Sequence, residues 1–164
     1  MPDESLADGH LEVAYALAAS ESPTQSEIRR AISTCYYAVY HALAATCANC
    51  LVGDSPEDRP ENAWVEIYRG LNHRVCKNSC ANAHSVNFPA SIKLFADAFV
   101  QLQELRLKAD YDPKVKFQKG DANTHIATAK LSIDSLNSTD VYHKRAFAAW
   151  VLISSQGAKK ARSA

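Results

Sequence analysis

Arg69 and His73 stand four residues apart, the spacing at which a single helix sets a guanidinium beside an imidazole. An imidazole exchanges protons near neutral pH, and a guanidinium holds phosphate oxygens through paired hydrogen bonds, so the two together could move a proton next to a phosphate group. Asn72 adds an amide donor between them. If the helix that opens near Pro60 continues through this stretch, Trp64, Ile67, Tyr68, Leu71 and Val75 fall on one side, and Arg69, His73, Cys76 and Cys80 on the other. The spacing therefore predicts a polar, cysteine-bearing face turned away from the protomer's own core. An exposed helix face with one histidine would read the same way, and Gly70 and Asn72 weaken the helix at this point.

A second constellation lies in Glu27 to Ala45, EIRRAISTCYYAVYHALAA, where Arg30, Thr34, Tyr37 and His41 return to nearly the same azimuth of a helix. The surrounding residues are apolar enough to be buried on several sides, so this stripe needs partners. Arg106, Asp110 and Tyr111 offer them one helical turn apart, with Asp110 as the expected partner of Arg30. The set reads either as a structural polar seam or as a row of ligand contacts. Cys47-x-x-Cys50 and Cys76-x-x-x-Cys80 supply four thiols, with His73 or His84 as substitutes, in a count that would suit tetrahedral zinc. A CxxC inside a helix lacks the Gly or Pro knuckle turn of such sites, so these cysteines are expected as reduced, buried thiols, without metal or other cofactor.

The elements that must position these residues are helical. At 164 residues the chain fits one domain, able to bury roughly 70% of its unfolded surface. Hydrophobic residues make up 47%, and strand-type alternation is scarce, so the fold class is all-α, an up-and-down bundle of five to six helices. Helices are expected at Glu4 to Ser20; from a capping box at Ser22-Pro23-Thr24-Gln25, with Pro at N1, to about Leu51; from Pro60 onward; from Pro89 to a stop at Pro113; from a cap at Asp121; and from Thr139 to Ser154. Residues 1–154 read as a single domain and 155–164 as a basic, disordered tail. Eighteen basic side chains balance eighteen acidic ones, which removes the electrostatic case for sequence-independent nucleic-acid binding over the whole surface. No apolar run is long enough to span a membrane and no signal segment opens the chain, so a soluble, cytoplasmic protein is expected.

The run RRAISTCYYAVYHAL followed by LQELRLKADYDP resembles the HEPN domain (higher eukaryotes and prokaryotes nucleotide-binding), with its pattern R-A-x-x-x-x-Y-Y-A-x-x-H-A and then L-R-x-x-A-D-Y. The resemblance covers roughly Leu11 to Leu136. It implies a bundle of four or five helices, commonly a homodimer, and a function as a metal-independent endoribonuclease of a toxin–antitoxin or defence system, with RNA as substrate and a cognate antitoxin as partner. His73 would then be the acid/base group, Arg69 the phosphate clamp and Asn72 a positioning donor, with products ending in a 2′,3′-cyclic phosphate. The family's catalytic signature leaves four to six residues between Arg and His, whereas three intervene here. That departure keeps a second expectation open, a non-catalytic HEPN module that binds a nucleotide or a partner protein.

Overall fold

Thr24 begins the element around which the molecule is built. Its Oγ1 accepts from the Glu27 N–H at 3.2 Å while the Glu27 carboxylate accepts from the Thr24 N–H at 2.7 Å, so two donors of the first turn are satisfied reciprocally. The cap is Thr24 rather than Ser22, and Pro23 precedes it instead of filling N1. The helix that follows, α2 (Gln25–Val52), is 28 residues long and ends at Gly53, whose φ of 113° suits glycine alone. Buried Ala31, Ala38, Ala42, Ala44 and Ala48 let neighbours approach its axis closely from several sides.

In the computed structural model, which describes residues 5–164, α1 (Leu6–Ala18), α3 (Glu61–Gly70), α5 (Ala90–Tyr111), α6 (Lys119–Ser138) and α7 (Val141–Leu152) all pack on α2. The expected start of the first helix at Glu4 lies outside the described residues. Pro89 opens α5 and the helix ends ahead of Pro113, while Ile92, Phe95, Phe99 and Leu102 form its fully buried stripe. Asp121 lies inside the first turn of α6, where its carboxylate accepts from the Gln118 N–H at 2.6 Å. Asp140 caps α7 through the His143 N–H. The described residues contain helices and no strand, and no helix is long and apolar enough to cross a membrane.

The described residues form eight α-helices, because one expected helix is divided in two and the C-terminal stretch adds another. The helix from Pro60 does not run through His73. It stops at Gly70, Leu71 and Asn72 adopt extended ψ angles of 130° and 125°, and α4 (His73–Ala81) starts afresh. Gly70 makes the helix cheap to leave, and the Asn72 side-chain oxygen makes it favourable to restart by accepting from the N–H groups of Arg74 and Val75 at 3.0 and 3.2 Å. The new direction turns Cys76 and Cys80 into the core, so no cysteine-bearing polar face points outward. The C-terminal stretch, read from the sequence as a tail, is drawn as a helix. Ser155 caps α8 (Gln156–Ser163), and the Arg162 guanidinium lies 4.4 Å from the Trp150 ring, which docks this short, lysine- and alanine-rich helix.

Candidate functional site

About a turn and a half of α2 carries Tyr36, Tyr37, Tyr40 and His41, and four other helices deliver partners to it. Tyr36 is fully buried, yet its hydroxyl meets His73 Nδ1 at 2.6 Å. His41 Nδ1 meets the Tyr68 hydroxyl of α3 at 2.7 Å, and the Tyr40 hydroxyl donates to the Leu71 carbonyl at 2.8 Å, which anchors the joint between α3 and α4. Tyr40 stacks on His73 with centroids 4.2 Å apart, and His10 of α1 stacks on His41 at 5.0 Å. Trp64, Tyr68, His41 and His10 thus form a ladder of near-parallel rings from the core to the half-exposed rim. Arg106 of α5 closes the group: its Nη1 donates to the Tyr37 hydroxyl at 3.2 Å, and its guanidinium lies 5.1 Å from the Tyr36 ring. Arg106 Nε is buried without a hydrogen-bond partner among the described residues.

Electrostatics favour neutral rings. Burial, followed by the charge of Arg106, holds His73 below the ordinary imidazole range. Burial, then His10 and His73, do the same for His41, and burial with Arg30 does so for His10. The Tyr36 phenol is pushed well above its usual value by burial, so it keeps its proton. A protonated phenol either donates to Nδ1 or accepts from it, and can follow His73 through both of its protonation states. In each case Nε2 is the nitrogen left for a ligand.

The structure unites Tyr37, His41, His73 and Arg106 and leaves the other expected residues outside. Arg69 is exposed in the last turn of α3, and Asn72 uses its side-chain oxygen as a helix cap. Arg30 is exposed, Asp110 accepts from Ser33 Oγ at 3.1 Å, and no ion pair joins the two among the described residues. Tyr111 is 74% exposed. The arginine that does bind α2 to the end of α5 is Arg29, which donates to the carbonyls of Lys108, Ala109, Asp112 and Val115. Sequence reasoning missed His10, Tyr36, Tyr40 and Tyr68. The YYAVYH run held a signal for two of them, since positions three and four apart on a half-buried helix face the same neighbours. Nothing in the sequence pointed to His10, which reaches the site through helix packing.

Cys47, Cys76 and Cys80 are buried free thiols, and burial pushes Cys76 up to about 12. Cys50 is half-buried. No group of three or more His, Cys, Asp or Glu among the described residues is placed to hold a metal ion. Comparison of the chain with family models, with curated proteins and with solved structures finds no match.

Proposed function

We propose that the chain is a HEPN-like, metal-independent endoribonuclease whose acid/base chemistry resides in the imidazole, phenol and guanidinium cluster. The observation that carries this reading is the bond between His73 Nδ1 and the Tyr36 hydroxyl, in a cluster that also holds His41 and Arg106. In the proposed reaction His73 Nε2 takes the proton of a ribose 2′-hydroxyl, and the 2′-oxygen forms a bond to the adjacent phosphorus as the bond from phosphorus to the 5′-oxygen breaks. The His73 imidazolium so formed returns its proton to the leaving 5′-oxygen, and Arg106 offsets the charge on the phosphate oxygens. Arg106 replaces Arg69 in the clamp role because it lies beside His73. All of these groups belong to one protomer. The homodimer, the cognate antitoxin and the toxin–antitoxin or defence setting rest on the family resemblance.

The test is cleavage of RNA by purified protein in EDTA, with products ending in a 2′,3′-cyclic phosphate. His73→Ala is expected to abolish cleavage and Arg106→Gln to reduce it by about a hundredfold or more, with helical content unchanged in both. Full activity in His73→Ala would refute the assignment. A second reading, a non-catalytic module that binds a nucleotide or a partner protein, is favoured by the separation of Arg69 from His73 on different helices. Absence of cleavage by the wild type, with saturable mononucleotide binding that His73→Ala abolishes and Lys159→Gln leaves unchanged, would select it.

A further inference from the structure

On the far side of α4 from His73 lies a groove of about 530 Å³ between α4 and α8. Asn78 and Asn82 follow His73 by five and nine residues, which rotates them nearly half a turn away from it, so the groove shares no residue with the imidazole cluster. Its floor is apolar, made by Val75 and the Trp150 ring, whose indole N–H donates to the Ser79 carbonyl at 2.8 Å. The walls are hydrogen-bonding. Asn78 and Asn82 line one side and the cations Lys159 and Arg162 the other, while no carboxylate is among the lining residues.

Arg162 is a positioned charge rather than a loose one. Its ring stacking on Trp150 and its Nη2 bonds to the Ala149 and Trp150 carbonyls, at 3.2 and 3.4 Å, fix the guanidinium plane and leave its remaining N–H groups for another acceptor. Lys159 precedes it by three residues, on the same face of α8. Two cations without a neutralising acid, faced by amides and hydroxyls, suit a group rich in acceptor oxygens and negative charge. The volume exceeds what a bare anion needs and falls in the range of small organic ligands.

We propose that this groove binds a small phosphate-bearing organic molecule, of sugar phosphate or mononucleotide size, with the phosphate between Lys159 and Arg162 and the remainder against Trp150. This site stands apart from the proposed nuclease chemistry and does not depend on it. Titration of the full chain with ribose 5-phosphate and with AMP, followed by tryptophan fluorescence and by thermal shift, is expected to give saturable binding of at least one. Lys159→Gln and Lys159→Glu, at an exposed position where the fold does not need the charge, should each weaken binding by about tenfold or more, equivalent to about 1.4 kcal/mol. Unphosphorylated ribose should give no response. The proposal is overturned if neither phosphate ligand binds saturably, if both variants bind like the wild type, or if ribose binds as well as ribose 5-phosphate.

Discussion

Arg29 and Arg30 are neighbours with opposite fates, and the difference is a matter of azimuth. Arg29 faces the C-terminal end of α5, where carbonyls lack helical partners, and satisfies several of them at once. Arg30 faces water. Arg29→Ala should therefore cost about 1 to 2 kcal/mol of stability, since it strands several half-buried acceptors, while Arg30→Ala should stay within about 0.5 kcal/mol; urea titration of both variants checks the contrast. The imidazoles make a second test. His10, His41, His73 and His125 all have pKa values lowered from 6.5 in the folded protein, chiefly by burial. The unfolded chain then binds more protons than the folded one below that value, so the stability these groups contribute is present above pH 6.5 and is lost as pH falls through their folded values. Melting temperature should drop on acidification through this window, and the acid limb of RNA cleavage should lie below 6.5 if neutral His73 is the base. At this scale the sequence disclosed which residue types matter, because tyrosines and histidines stand out in an alanine-rich helix. It did not disclose which of two adjacent arginines turns inward.

The split between α3 and α4 decides where the chemistry lies. A continuous helix would have carried His73 outward with Arg69, whereas the restart at Asn72 swings His73 beneath Tyr40 and against Tyr36. Asn72→Ala removes the cap and should cost about 1 kcal/mol. It should also loosen His73, lowering RNA cleavage by more than the loss of folded protein explains, and Asn72→Ser should restore both. Cleavage rates corrected for the folded fraction measure this. The restart was hard to read in the sequence because Leu71 and Val75 continue the apolar period across it, and periodicity alone does not register a change of axis. Gly70 and Asn72 were the visible signs. The starts at Thr24 and Asp140 were closer to legible, since local side-chain hydrogen bonds fix them without help from distant residues, and Pro89 marks its helix start through its fixed φ.

For the molecule as a whole, the all-helical architecture followed from the period of its apolar residues, and α2 was visible as the long central element. The packing that brings His10, His41, His73 and Arg106 together was not, since it depends on contacts between residues far apart in sequence. One chain supplies every residue of the cluster, and Cys76 and Cys80 lie in the core and not on an outward face. Specific activity should therefore stay constant on dilution through any dimer dissociation, as followed by light scattering and RNA cleavage on the same samples. A fall in activity per chain as dimer is lost would mean that a second protomer completes the site.

Helix α1 gives this site a fixed wall. Leu11, Ala14 and Ala18 are its buried residues, and its packing along α2 is the most extensive of the helix pairings, with α6 as its other principal neighbour. His10 therefore meets His41 from a helix held along its length, and the His41 ring is stacked between His10 and Tyr68. Anything that reaches this imidazole must come to its edge and not to its face.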